Sequence, residues 1–374
     1  MASQDLLILE VIAKVEAGKL TRFEAETLLQ VSNRTLKRYL REYRKEGIAF
    51  IRHGNKGRAP KNKLAPELKT RVQDLMREKY FDFNMIHALE KLREEGVDLK
   101  RETFRNWCHE IGLVKRAKKR RAKPRYKRTR MSQAGLLIQM DGSHHPWFDG
   151  RVTCLIAAID DATSEVVAAE FFEGETTFAC LKLLKDLIMA KGVFKILYVD
   201  KAGIYGGIKR QGFSQVGRAL EEVGAQIIYA HSPEAKGRIE RLFQTLQDRL
   251  VAEMRLNKIR TIEQANEYLK TTYLPHQHNP RYAVQPHDLK PAYQALPAHC
   301  RLEEIFCIKD YRVVNRDHTI SWGAEKYMIA QQLKFSIYNQ KIEIRSHRPG
   351  EWKPYFAGKP IRMIKVEKVK KMIA

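Results

Sequence analysis

Residues 213–250, FSQVGRALEEVGAQIIYAHSPEAKGRIERLFQTLQDRL, carry three elements in succession. FSQVGRALEEVG (213–224) has the spacing of an amphipathic helix and AQIIYA (225–230) is a short apolar strand. Ser232 and Pro233, a capping hydroxyl before a proline at the first helical position, open a long helix from 233 to about 256. Along it Ile239, Leu242, Phe243, Leu246 and Leu250 form the buried stripe. Working upstream, FKILYV (194–199) reads as a strand and TTFACLKLLKDLIMAK (176–191) as a helix. Before them LLIQM (136–140), TCLIAAI (153–159) and EVVAAEFF (165–172) are β-rich runs joined by Asp, Gly, Thr and Ser turns, a three-strand antiparallel meander. Meandering strands followed by alternating helices and strands predict a mixed five-stranded sheet covered by helices.

The chain has 374 residues, of which 44% are hydrophobic, enough for several buried cores, and a disordered chain is excluded. Its formal charge of +25 asks for a polyanionic partner, and nucleic acid leads. No apolar run approaches the ~20 residues that span a bilayer. The start, MASQDLLILEVIAKVE, is amphipathic and acidic, unlike a signal or transit peptide. Five scattered cysteines without a C-x-x-C pair support neither a disulfide framework nor a Cys-rich zinc site and fit a reducing cytoplasm.

The charge is unevenly spread: 34 Lys+Arg against 17 Asp+Glu in 1–130, 19 against 19 in 131–290, and 16 against 8 in 291–374. A neutral middle therefore sits between two basic wings that would grip phosphates. In the first wing a helix closes at Gly18, Thr21 and Glu24 form a capping box, and Ser32 opens a third helix that stops at Gly47. Leu36, Tyr39, Leu40 and Tyr43 turn inward, which sends Arg34, Lys37, Arg38, Arg41, Arg44 and Lys45 outward. Helices follow near 66–79, 84–95 and 101–111, the last with Phe104, Trp107, Cys108 and Ile111 inward and Arg101, Arg105, Asn106 and His109 outward. Two tandem helix-turn-helix units are the expectation, with helical bundles whose basic faces are merely solvated as the alternative. HGNKGRAPKNK (53–63) reads as a basic linker, and 115–130, with 11 Lys/Arg and no acid, as a second one that includes Lys119, Arg120 and Arg121. In the second wing, runs at 310–322, 325–330, 333–347 and 351–356 suffice for a small five-stranded barrel carrying Arg312, Arg316, Lys334, Lys341, Arg345, Arg348 and Lys353.

Asp141 ends the first expected strand and Asp200 the fourth; if those strands are neighbours, the two carboxylates meet at one edge. Glu240, four residues after Lys236, lies on a polar strip beside the stripe of the long helix. Three such acids suit two divalent cations that activate and stabilise the oxygens of a phosphodiester exchange. A structural role is the alternative for each: strand-ending turns for the aspartates and pairing with Lys236 for Glu240. Asp160 and Glu234 compete for the same part, the first as a turn residue and the second as a helix-start acid. His144 and His145, just after Asp141, read as local hydrogen-bonding or turn residues, with metal ligation as the alternative, while Lys201, Lys236 and Arg238 are candidate phosphate contacts.

QMDG (139–142), YVDKAGIYGG (198–207), the stretch 213–250 and the tandem N-terminal modules together resemble DDE transposases of the retroviral integrase superfamily, most closely ISNCY-type bacterial insertion-sequence transposases. The resemblance covers nearly the whole chain. It implies a ribonuclease H-like core whose catalytic and metal-binding acids are Asp141, Asp200 and Glu240, with two Mg²⁺ ions per site, Mn²⁺ able to substitute, and no small-molecule cofactor. The implied organisation is a helix-turn-helix module (1–52), linker (53–63), second module (64–114), linker (115–130), catalytic core (131–290), SH3-like β-barrel (291–364) and basic tail (365–374). The His/His/Cys/Cys zinc spacing of retroviral integrases is absent from this sequence. The 39 residues between Asp200 and Glu240 exceed the usual 35 or so, which an insertion at Tyr205–Phe213 would absorb. The implied activity is binding of terminal inverted repeats, strand cleavage and strand transfer, by a homo-oligomer on double-stranded DNA, both transposon ends and target, in the bacterial cytoplasm at the nucleoid and away from membranes. A DNA-binding regulator with a retired core is the rival expectation.

Overall fold

The computed structural model describes residues 3–51, 64–114, 129–148, 150–200, 204–205, 214–230, 236–298, 300–332 and 334–366. The chain forms two compact units, Met1–Arg71 and Val72–Ala374. In the first, α1 (Ser3–Glu16), α2 (Arg22–Leu29) and α3 (Asn33–Glu46) enclose Val11, Ile12, Ala25, Leu36 and Leu40. The expected caps form: Thr21 and Glu24 make the reciprocal box, and the Ser32 hydroxyl accepts from the Thr35 N–H. Helix α4 (Pro66–Glu78) crosses the boundary between the units.

The second unit holds a sheet in the order β3-β2-β1-β4-β5, built from β1 (Leu137–Phe148), β2 (Arg151–Asp160), β3 (Val166–Phe172), β4 (Ile196–Val199) and β5 (Gln226–Tyr229). The first three strands are antiparallel and β1-β4-β5 are parallel, which is the expected mixed sheet. One face packs Ile138, Met140, Cys154 and Ile156 against α7 (Thr177–Lys191) and α8 (Gln215–Glu222). The other packs Leu155, Ala157 and Ile159 against α9 (Gly237–Leu256), α10 (Ile262–Tyr268) and a π-helical run, Leu269–His278. The long helix thus begins, among the described residues, at Gly237; its expected start at Ser232-Pro233 lies outside them.

Two helices of the second unit, α5 (Met85–Glu94) and α6 (Arg101–Glu110), bury Ala88, Leu89, Leu92, Phe104, Trp107 and Cys108. Helix α5 meets α9 through charge. Glu253, 1% exposed, takes His87 Nε2 at 2.7 Å and Lys91 Nζ at 2.9 Å, while Arg249 Nη1 reaches Glu90 at 2.8 Å and Arg281 joins the same carboxylate. Beyond two short helices, α11 (Asn279–Tyr282) and α12 (Leu302–Ile305), the C-terminal part departs from the five strands expected. Among the described residues it has seven: β6 (Ile308–Val313), β9 (Lys341–Arg348), β10 (Glu351–Phe356) and β11 (Lys359–Pro360) in one sheet, and β7 (Thr319–Trp322), β8 (Glu325–Ile329) and β12 (Met363–Lys365) in another. The run at 310–322 breaks because Asp317 Oδ1 accepts from the Thr319 backbone and hydroxyl, and His318 adopts φ +54°. Val314, Ile320, Ile337, Ile342, Ile344 and Ile361 fill this region's core.

Burial works to raise the Glu253 carboxyl, but hydrogen bonds from His87 and Lys91 hold it below its ordinary 4.5. A carboxyl held low gives stability that is complete above the ordinary pKa and is lost as pH falls through the folded value. Glu253→Gln, which leaves a buried His87 and a largely covered Lys91 without their anion, is expected to cost about 3–5 kcal/mol. Denaturant unfolding should show that loss at pH 7 and a shrinking difference from wild type below pH 4.5. A pH-independent difference would exclude the ion pair as its source.

Candidate active site

Strand β1 outruns its parallel neighbour. It pairs with β4 from Leu137↔Ile196 to Gln139↔Tyr198, and the same register carried two residues further sets Asp141 level with Asp200. Neighbouring strands lie roughly 4.8 Å apart, so the two carboxylates share one edge. Asp141 does not end its strand, as the sequence suggested: β1 continues to Phe148 because antiparallel β2 supports it, with Asp141 opposite Ala157. His144 and His145 therefore lie within β1, not in a turn, and His145 stacks edge-on to Trp147 at 5.2 Å.

The electrostatics of this edge are strained. Burial pushes the Asp141 carboxyl upward, the Asp200 charge adds to the rise, and Lys236 opposes it. Lys236 caps the start of α9 and is only 5% exposed, with its Nζ 2.9 Å from Asp141 Oδ2. Glu240 stands in the first turn of α9, exposed, four residues on and so on the same helix face as Lys236. The Ile239, Leu242, Phe243, Leu246 and Leu250 stripe is buried as the periodicity indicated. Asp141, Asp200 and Lys236 are thus brought together, with Glu240 on the adjoining helix face. The surface pairing of Lys236 with Glu240 gives way to the buried pair with Asp141.

A carboxylate the sequence did not single out joins them. Glu175, in the turn before α7, accepts a hydrogen bond from Tyr205 Oη at 3.0 Å; burial pushes its carboxyl upward, and the Asp141 and Asp200 charges add to the rise. The only sequence signal for it is an acid close to the Thr176 that caps α7.

The competing acids and cations have other partners. Asp160, 1% exposed, accepts from the backbone N–H groups of Gly135 (2.7 Å), Ala162 (2.9 Å) and Thr163 (3.0 Å), a turn role. Arg238 Nη1 lies 3.1 Å from Asp161, a buried acid that also accepts from Gln139 Nε2 at 2.8 Å. Lys201, Glu234 and the Gly206–Phe213 part of the expected insertion lie outside the described residues.

Of the expected DNA contacts, Arg34, Lys37, Arg38 and Arg41 are exposed along α3, and Arg101 and Arg105 along α6. Lys37 and Arg41 also line a cleft of about 390 Å³ with Arg22, Arg44 and Lys45. Lys119, Arg120 and Arg121 lie outside the described residues.

The hard oxygens of Asp141 and Asp200, with an ammonium standing on one of them, suit a hard divalent cation. Among the described residues no three His, Cys, Asp or Glu side chains already surround one point at ligating distance. Lys236 occupies the Asp141 oxygen that such an ion would take.

No family model matches the chain. The transposase y4bF of Sinorhizobium fredii is 32% identical over 362 residues, covering 94% of this chain and 78% of that relative. The transposase for insertion sequence IS1202 of Streptococcus pneumoniae is 31% identical over 304 residues, 69% of this chain and 64% of its own length. Among solved structures, a chain of the simian T-cell lymphotropic virus intasome in complex with PP2A regulatory subunit B56 gamma aligns over 78% of this chain and 99% of its own, at 14% identity and a TM-score of 0.38. With a transposase 32% identical to it along nearly all of its length, the chain belongs to the transposases.

Proposed function

We propose that this transposase binds the terminal inverted repeats of its insertion sequence, cuts to free 3′-hydroxyls and joins them to target DNA, as a homo-oligomer assembled on the paired ends. The observation that carries the reading is the level setting of Asp141 and Asp200 where β1 outruns β4, beside the buried cation Lys236. In this reading Asp141, Asp200 and Glu240 are the catalytic acids and hold two Mg²⁺ ions, with Mn²⁺ able to substitute. Bound there, the ions would supply Lewis-acid stabilisation of the attacking and leaving oxygens of a phosphodiester. The side chains supply the frame: the sheet sets two carboxylates level, and the position of Glu240 in the first turn of α9, four residues after Lys236, supports its part as the third. Once displaced from Asp141, Lys236 is free to meet a phosphate.

The helical modules act as helix-turn-helix readers in this account, supported by the exposed cations of α3 and α6. The two C-terminal sheets around one apolar core favour an SH3-like barrel. The boundaries 1–52, 64–114, 131–290 and 291–364 follow from these assignments. Lys119, Arg120, Arg121 and the other linker cations, with a place at the nucleoid, follow from the charge distribution; among the described residues no helix is long and apolar enough to cross a membrane. A regulator with a retired core would not need two aspartates held level at the sheet edge.

Full-length protein on labelled end DNA tests the acids. Asp141→Asn, Asp200→Asn and Glu240→Gln should each lower cleavage and joining by on the order of a thousandfold, several kcal/mol of lost charge stabilisation, while end binding persists. Asp160→Ala should instead lower stability, since each of its orphaned N–H groups costs about 1–3 kcal/mol. Wild-type protein that binds its ends but never nicks them in Mg²⁺ or Mn²⁺ would favour the regulator.

Lys236 gives a prediction of opposite sign. Removing the ammonium in Lys236→Gln should tighten Mn²⁺ binding to the DNA-free chain about tenfold, equivalent to ~1.4 kcal/mol, and slow strand joining. Electron paramagnetic resonance of free Mn²⁺ measures the affinity; an unchanged or weaker value would refute competition for Asp141.

A further inference from the structure

Two acids of the β3–α7 turn have opposite fates. Glu173 is exposed and pairs with Arg151 at 2.6 Å, an ordinary solvated ion pair. Glu175 turns inward instead. Its Oε1 accepts from Tyr205 Oη, and Tyr205 is itself 1% exposed, held by Cys180 Sγ at 3.4 Å and by Tyr229, whose hydroxyl bonds the Tyr205 carbonyl. Its other oxygen lies against Gly142, the residue after Asp141. A Cβ at Gly142 would fall 2.7 Å from Glu175 Oε2 and 3.2 Å from Cys154 Sγ. The absence of a side chain there is what lets this carboxylate lie against β1.

Alternate residues of β1 face opposite sides of the sheet: Ile138 and Met140 pack toward α7 and α8, while Gln139 and Asp141 reach the start of α9. Glu175 therefore approaches the Asp141–Asp200 edge from the face opposite to Lys236 and Glu240. Among the described residues it makes no ion pair, and its hydrogen-bond donor is a neutral phenol. Burial disfavours its charge most, and two further carboxylates add to that, opposed by the Tyr205 hydrogen bond and by His144. A half-buried acid left in that company is costly unless something positive joins it. The dipole of α7 accounts for an acid at this turn, but not for a carboxylate aimed at Gly142 and locked there by a buried tyrosine.

We propose that Glu175 is a fourth carboxylate of the active site, a positioning residue that accepts hydrogen bonds from the water retained on cations held at Asp141 and Asp200. It rests on the active-site reading above and extends it to the other face of the sheet. Mg²⁺ sites keep several waters, and losing a group that hydrogen-bonds a metal's ligands typically costs about 10–100-fold in affinity. Tyr205 aims Glu175, and Gly142 makes room for it.

The test is a Mn²⁺ titration of the DNA-free full-length chain by electron paramagnetic resonance, paired with the Mn²⁺ dependence of cleavage on end DNA. Glu175→Gln should weaken binding about tenfold and raise the Mn²⁺ concentration for half-maximal cleavage, with most of the maximal rate recovered at high Mn²⁺. Glu173→Gln should change neither. Tyr205→Phe, which keeps the carboxylate but removes its aim, should weaken binding by a smaller factor, and serves if Glu175→Gln does not fold. Wild-type affinity and half-maximal concentration in Glu175→Gln, with binding lost in Asp141→Asn, would overturn the role of Glu175 alone. Wild-type affinity in Asp141→Asn as well would overturn the active-site reading and this inference with it.

Discussion

Two like charges held level by a strand register are the constraint around which the second unit is organised. Asp141 and Asp200 cannot move apart without breaking the parallel pairing of β1 with β4, whose side chains Ile138, Leu197 and Val199 are wholly buried. Their repulsion is a standing cost that the fold carries through its core packing and relieves in part with Lys236. Sites that concentrate unlike demands of this kind are where function is usually found. The start of α9, delivering both Lys236 and Glu240, is positioned by the same buried stripe that closes one face of the sheet.

The far half of that helix has a different task. Arg249, Glu253 and Arg255 face α5 and the segment before it through buried or half-buried ion pairs. Such seams contribute little net stability compared with hydrophobic ones but penalise any other register, because a shifted helix would leave charges unpaired. One helix thereby ties the Asp141–Asp200 edge to a helical module whose exposed α6 carries Arg101 and Arg105. The distance from those α6 cations to that edge is then fixed within one unit.

Much of this was legible in the sequence because it is written in periodicity. The mixed sheet, the α9 stripe and the Thr21–Glu24 box follow from spacing alone, since those residues have one way to bury their apolar faces or satisfy their helix ends. What escaped depends on long-range partners. The continuation of β1 beyond Asp141 is decided by β2, and the diversion of Arg238 to Asp161 by a turn 77 residues earlier in the chain. Glu175 escaped because its importance comes from the missing side chain of Gly142 and from Tyr205, neither of which is near it in sequence. Among the described residues seven short C-terminal strands stand where five were expected, and the 310–322 run breaks at a turn side chain, Asp317.

The proposed chemistry requires a divalent cation at the edge between β1 and β4. Anomalous scattering from crystals of the full-length protein grown with Mn²⁺ tests it most directly. A peak is expected between the Asp141 and Asp200 carboxylates, with Lys236 withdrawn from Asp141. Well-ordered crystals at saturating Mn²⁺ with no peak there and Lys236 still on Asp141 would contradict it.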